Sequence, residues 1–178
     1  MPRVLVVLCH AVTMTLALVA CEDVPRITAV RRVEDPWAFA QPVMAAGPLL
    51  VIVRGRPVFA AEPAVEERVL QEVIEAVTWT ATSRFTLDPV AAARAGMRVI
   101  FAFNAPTLGD PCREDVRGGE PRPDGTVALL AAFCDGSDLL SRVDGRVGRI
   151  DGLDDRHLAA LIDQATRELL GPPAAPRP

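Results

Sequence analysis

The stretch T-V-A-L-L-A-A-F-C, residues Thr126–Cys134, predicts a β-strand in the centre of a sheet, because it is apolar at every position after the first. Asp135-Gly136 follows at once, and Leu139-Leu140 then resumes an apolar run. Glycine accepts the positive φ that a tight turn requires, so this arrangement is typical of a β-hairpin. The sequence therefore predicts two consecutive strands joined by a short turn.

Two further stretches predict strands upstream of this hairpin. L-L-V-I-V-R, residues Leu49–Arg54, is a short apolar run bounded by Pro48 and Gly55, which favours a buried strand. M-R-V-I-F-A-F-N, residues Met97–Asn104, has the same character. Together with the hairpin, these stretches predict a sheet of about four strands.

Two longer stretches have the spacing of amphipathic helices. Glu62-Pro63 opens the first, since proline is tolerated in the first turn of a helix. Asp154 begins the second as a cap, and Gly171 ends it. A shorter helix is predicted over Asp88–Arg94. The apolar positions of the two longer helices are Val65, Val69, Val73 and Val77 in the first, and Leu158, Leu161, Ile162, Ala165 and Leu169 in the second.

These elements predict an α+β domain over residues 49–171, in the order β-α-(α)-β-β-β-α. A single small, mostly antiparallel sheet of about four strands, packed by two main helices, is the simplest way to bury the apolar stripes. The proline-containing residues 21–48 are predicted to form a tether, and residues 172–178 a disordered tail. Within the tether, Trp37 and Phe39 are expected to dock onto the domain itself or onto a partner.

The first twenty residues have the organisation of an export signal. Arg3 supplies a positive charge, Val4–Ala20 is an uncharged, mostly apolar run, and L-V-A-C ends at Cys21. This order of charge, apolar run, small residue and cysteine resembles the signal peptide and lipobox of bacterial lipoprotein precursors. The resemblance implies cleavage after residue 20 and acylation of the Cys21 thiol, which would anchor the mature chain to a membrane.

The resemblance also implies a location in the cell envelope, with the domain facing the periplasm or the exterior. Inner and outer membrane both stay open, because Glu22 follows the cysteine where an aspartate would indicate inner-membrane retention. Three alternatives to lipidation remain at this point: a cleaved signal without lipid, an uncleaved membrane helix, and a chance cysteine.

Composition argues against nucleic acid as a partner. The net charge is −4, and all 19 basic residues are arginine. A mildly acidic domain has no electrostatic reason to bind a polyanionic backbone. Aromatic residues make up 4% of the chain, with no tyrosine, which weakens any proposal based on base stacking.

Two cysteines remain for the mature domain if Cys21 carries lipid and Cys9 is removed with the leader. Outside the cytoplasm, two remaining thiols usually pair, so Cys112 and Cys134 are predicted to form a disulfide. A redox-active pair is the alternative, but these positions lack the C-x-x-C spacing.

We predict no catalytic residue, metal site or cofactor. His157 is the one histidine of the mature chain, and although Asp154 and Asp155 could orient it as a base, no nucleophile is placed to complete a triad. Clustered aspartates could bind calcium, but their spacing matches no EF-hand loop. Turn formation explains the four Asp-Gly pairs, which begin at Asp124, Asp135, Asp144 and Asp151.

The favoured function is a non-enzymatic protein-binding or assembly-accessory module with an envelope protein as its partner. It would present a contact surface on the long loop of residues 105–125. The alternative is a binding module for a small anionic ligand. Its candidate residues are the arginines at the predicted strand ends, Arg54, Arg56, Arg142 and Arg146.

Lipidation of Cys21 predicts a specific labelling result. Cells that produce the full chain and are fed radiolabelled palmitate should yield a labelled product, because the acyl chains are attached through this thiol. The Cys21→Ser variant should remain unlabelled. An unlabelled wild-type chain, or equal labelling of the serine variant, would contradict the lipoprotein prediction.

Overall fold

In a computed structural model, the described residues are 24–81, 84–106, 109–113 and 116–172. The predicted signal peptide, Cys21 and tail residues 173–178 lie outside them. Within these ranges, no helix is long and apolar enough to cross a membrane. The elements are β1 (Arg26–Arg31), α1 (Trp37–Ala46), β2 (Leu49–Arg54), α2 (Glu62–Ala76), β3 (Phe85–Thr86), β4 (Met97–Phe103), β5 (Thr126–Asp135), β6 (Asp138–Arg149) and α3 (Arg156–Leu170).

The prediction of a small, mostly antiparallel sheet of about four strands is wrong. Six strands lie in the order β1-β6-β5-β4-β2-β3. The sheet is mixed, because β2 runs parallel to both β3 and β4 while the other neighbours are antiparallel. The α+β class is retained, and the hairpin of β5 and β6 is present, with Gly136 at φ 58° in its turn.

Much of the predicted tether, residues 21–48, is part of the folded domain. β1 pairs antiparallel with β6 along its whole length. α1 packs on the core through the buried Trp37, whose ring contacts that of Trp79 edge to face with 5.5 Å between the centroids. Phe39 is 40% exposed. Pro42 lies inside α1. An interior proline argues against a helix when only the sequence is considered, and here tertiary packing outweighs that penalty.

The short helix predicted over Asp88–Arg94 is a turn in the structure. The Asp88 carboxylate accepts a hydrogen bond from the Val90 amide at 2.8 Å, and the Ala93 amide donates to the Pro48 carbonyl at 2.9 Å. In a helix the Ala93 amide would bond to a carbonyl four residues earlier. The Ala93 amide is therefore engaged by a distant residue instead of by the carbonyl that would continue a helix.

All three helices pack on one face of the sheet in a single apolar cluster. The predicted valine stripe of α2 and the predicted apolar face of α3 both lie in it, which confirms the helical spacing read from the sequence. The fully buried residues of largest volume include Phe101, Phe103, Phe133, Leu49, Met97, Leu158, Leu161, Ile162, Leu169 and Leu170.

On the opposite face of the sheet, the buried clusters formed by described residues lie over the central strands. Ile100, Ala132 and Cys134 form one small buried cluster there with Cys112, and Ala102 and Leu130 form another with Val116. Strands buried on both faces read as continuous apolar runs, which is the pattern in β4 and β5. In β6, buried Val143 and Val147 instead alternate with Arg142, Asp144 and Arg146, because its second face is open.

Close backbone contacts hold the loop of residues 105–125 against the ends of β2 and β4. The Gly119 amide donates to the Phe103 carbonyl at 2.8 Å, and the Arg56 amide donates to the Gly119 carbonyl at 3.0 Å. A Cβ atom on Gly118 would lie 1.9 Å from the Gly55 nitrogen. Only glycine permits this approach, so Gly118 fixes how closely the loop can dock.

Gly118→Ala is therefore expected to lower the free energy of unfolding by about 2 kcal/mol, as typical for overpacking of a tight contact. Gly152→Ala is the matched control, because no atom lies within 4 Å of its added Cβ. Urea unfolding followed by circular dichroism measures both. Equal stability of the two variants would show that the loop does not depend on this contact.

Candidate functional site

The four arginines predicted as an anion site fall into two separate groups. Arg54 and Arg56 lie at the end of β2, whereas Arg142 and Arg146 lie on β6. Two strands, β4 and β5, stand between them, which corresponds to about 14 Å at the usual strand spacing. The structure therefore does not bring the two groups together.

Two of these arginines are engaged by carboxylates. Arg142 binds Asp144 on its own strand through two hydrogen bonds of 2.8 and 2.9 Å, and Arg56 forms a salt bridge with Glu120 of the loop. Within the described part of the chain, neither Arg54 nor Arg146 has a carboxylate within 4.0 Å. Of the four arginines, these two therefore have no carboxylate partner among the described residues.

The disulfide between Cys112 and Cys134 is present, with Cα atoms 5.6 Å apart. Both residues are buried. The bond joins the loop to β5, on the sheet face opposite the helices. The Cys112 carbonyl also accepts a hydrogen bond from Arg98 at 3.0 Å, so the loop is held at this point by a covalent and a polar contact.

Beside the disulfide lies a pocket of about 270 Å³ between the sheet and the loop, which we call the arginine pocket. It is lined by the predicted Arg54 and by two arginines that were not predicted, Arg98 on β4 and Arg113 on the loop. The alternation of β4 could have indicated that Arg98 points away from the helices. The position of Arg113 depends on loop docking. The remaining lining residues are Ile52, Ile100, Pro111, Cys112 and Val116.

A second concavity of about 570 Å³, the Phe59 groove, lies where the far end of the same loop meets two other connections. Its walls come from residues 57–60 after β2, residues 121–125 of the loop, and residues 149–153 between β6 and α3. Phe59 lines it and is 81% exposed. Phe59 could not be identified from the sequence, because its exposure follows from how three connections assemble.

The charges that line the Phe59 groove are of both signs. Arg122 and Arg149 contribute positive charge, and Asp124 and Asp151 negative charge, with Arg149 Nε 3.6 Å from Asp151 Oδ1. The amide and hydroxyl of Thr126 both donate to Asp124, which lowers the pKa of that carboxyl from its usual value. Asp124 is therefore ionised at neutral pH, and the groove has no dominant charge.

Two further titratable side chains, those of His157 and Glu72, have charged neighbours. His157 lies in the first turn of α3, with Nδ1 3.4 Å from the Asp155 carboxylate that caps the helix. On α2, burial raises the pKa of Glu72, and the Arg68 guanidinium 2.6 Å away opposes that rise. Among the residues that the structure describes, no three His, Cys, Asp or Glu side chains are grouped closely enough to hold a metal ion.

No protein-family model and no curated protein matches this chain. Solved structures that are similar to it include two PelC dodecamers. A PelC dodecamer from Paraburkholderia phytofirmans is 13% identical, with 82% of this chain and 98% of that chain covered and a TM-score of 0.44. A single-substitution PelC dodecamer from the same organism is 14% identical, with the same coverage and TM-score. A likeness of this size supports no statement about function.

Removal of the disulfide is expected to weaken the domain measurably. In the chain-entropy description, a bond that closes a loop with a separation of 22 residues stabilises a protein by about 3 kcal/mol. The Cys112→Ala/Cys134→Ala double variant should show that loss in urea unfolding. Addition of a reductant should then leave the variant unchanged, whereas the wild-type chain, once reduced, should approach it. A double variant as stable as the oxidised wild type would contradict a stabilising role of the disulfide.

Proposed function

We propose that this chain is a lipid-anchored lipoprotein of the cell envelope whose domain binds a protein partner in the Phe59 groove. The observation that carries the proposal is the exposure of Phe59, a large apolar side chain left 81% accessible on the wall of a concavity of about 570 Å³. The proposed role is recruitment or assembly rather than catalysis.

Phe59 has the properties of an anchoring residue at a protein interface. Aromatic side chains bury a large area when they are covered, and a few such residues supply most of the binding energy in many complexes. The rest of the groove offers apolar surface from the half-buried Val58 and Leu153 and from the exposed Pro123. A partner that covers this surface would remove Phe59 from water.

The charges around the groove favour a protein over a polyanion as its occupant. A polyanion needs an excess of positive charge, whereas here Arg122 and Arg149 are accompanied by Asp124 and Asp151. A polar rim of mixed sign around an apolar centre is the usual arrangement at protein interfaces. The expected occupant is a protein segment that inserts an apolar side chain beside Phe59.

Site-specific photocrosslinking in the producing cells tests this proposal. A photoreactive amino acid at position 59 of the full chain should yield one discrete protein adduct. The same amino acid at position 90 should not, although Val90 is 91% exposed and lines none of the concavities described above. Position 90 therefore controls for labelling that depends on exposure alone.

A second substitution distinguishes groove binding from incidental capture. Pro123→Glu places an additional charge in the wall of the groove and should reduce the adduct at position 59 about tenfold or more, as loss of a central contact would. Val90→Glu should leave it unchanged. Equal adducts at positions 59 and 90, or an adduct that survives Pro123→Glu in a chain that remains folded, would argue against the proposal.

A further inference from the structure

We propose that the occupant of the Phe59 groove is the segment of an integral membrane protein that lies directly next to its membrane-spanning part. This inference rests on the proposed function, because it takes lipidation of Cys21 and protein binding at Phe59 as its starting points. It adds the class of partner, which follows from where the groove lies relative to the start of the folded chain.

Strand register places the start of β1 and the borders of the Phe59 groove at one end of the sheet. Arg26, the first residue of β1, lies opposite Arg146 near the end of β6. Arg149, the last residue of β6, lies opposite Thr126, the first residue of β5. At the same end of the sheet, β2 finishes at Arg54. The three connections that form the groove leave the sheet from these ends of β2, β5 and β6.

A neighbouring cavity links the groove to the start of the folded chain. This cavity has a volume of about 400 Å³, and both Val24 and Arg149 line it. Arg149 also lines the Phe59 groove, so the two concavities adjoin at this side chain. The domain therefore presents the groove and the start of its folded chain next to each other.

Covalent geometry then limits how far the groove can lie from a bilayer. Cys21 is three residues before Val24, and three extended residues span at most about 11 Å. Whatever path residues 22 and 23 take, a lipid on Cys21 would hold Val24 and the adjoining groove close to the headgroups. The other end of the sheet is remote, because β6 is 12 residues long and the turn at Gly136 lies roughly 40 Å from the groove end.

A groove at headgroup level favours a partner that is itself held in the membrane. A soluble protein would have to reach the groove past the headgroups, whereas the chain of an integral membrane protein leaves the bilayer at this level. Confinement of both proteins to one membrane also raises their effective concentration, as a linker between two binding modules does. A contact centred on Phe59 would then suffice to hold the partner segment.

The bilayer itself is the other occupant that this position suits, and the charge of the groove argues against it. Asp124 and Asp151 line the groove, and Asp124 accepts two hydrogen bonds from Thr126 that favour its ionised form. Insertion of Phe59 among acyl chains would carry these carboxylates toward hydrocarbon, which is costly for a charged group. A protein segment can instead offer basic side chains to them.

Photocrosslinking followed by release of the domain tests the class of partner. The full chain carries a photoreactive amino acid at position 59 and a short protease site between Asp23 and Val24. After crosslinking in the producing cells, proteolysis should release the unreacted domain from its lipid, whereas the adduct should stay in the membrane through the partner's own span. Mass spectrometry should place the crosslinked peptide directly beside a membrane-spanning stretch of the partner.

The other outcomes separate this inference from the proposed function. An adduct that proteolysis releases together with the domain, or a crosslinked peptide far from any membrane span, would overturn the inference and leave protein binding at Phe59 intact. Crosslinks to lipid alone, or absence of any adduct, would overturn both. The palmitate experiment on Cys21 tests the lipid anchor separately.

A change in tether length tests whether the height of the groove matters. Insertion of a flexible Gly-Ser spacer of about 30 residues between Asp23 and Val24 would let the domain move roughly 30 Å further from the bilayer. The adduct at position 59 should fall about fivefold, because the effective concentration of a tethered site decreases with linker length. The same spacer between Gly171 and Pro172 is the matched control and should leave the adduct unchanged. Equal adducts from the two chains would overturn the inference.

Discussion

The antiparallel pairing of β4 with β5 is the constraint on which the rest of the structure depends. These two strands lie at the centre of the sheet and are buried on both faces, by the helices on one side and by the stapled loop on the other. A shift in register by one residue would exchange the two apolar surfaces, so that side chains which pack against the helices would face the loop. The register of this pair is therefore fixed by packing on both faces. The loop must therefore dock wherever that second surface is exposed, and both candidate sites lie along its borders.

The elements that were predicted correctly are those whose signal is local. The run from Thr126 to Cys134, the turn at Gly136 and the valine spacing of α2 each identify an element without reference to the rest of the chain. β1 and α1 were not predicted, because both depend on tertiary contacts. β1 is stabilised by its pairing with β6, and α1 contains Pro42, which argues against a helix unless packing on the core compensates. The parallel pairing of β2 with β4 could not be read from either strand alone.

The candidate sites were less predictable than the fold. The disulfide between Cys112 and Cys134 could be predicted, because these are the two cysteines that remain once Cys9 and Cys21 are assigned to the signal peptide and the lipid. Arg54 was predicted as a cation at a strand end. Arg113 and Phe59 become functional candidates only when the loop is docked, and docking depends on glycine contacts that no sequence pattern indicates. The two sites lie at different parts of the loop. The arginine pocket lies beside the disulfide, and the Phe59 groove lies where the loop leads into β5.

The start of β1 at Arg26 has a consequence for how the domain would sit in a cell. If Cys21 carries lipid, only five peptide units separate the acylated residue from the first hydrogen-bonded strand, and five extended residues span about 17 Å. The domain would then rest beside the bilayer surface instead of ranging freely above it. A partner would then be met close to the lipid headgroups.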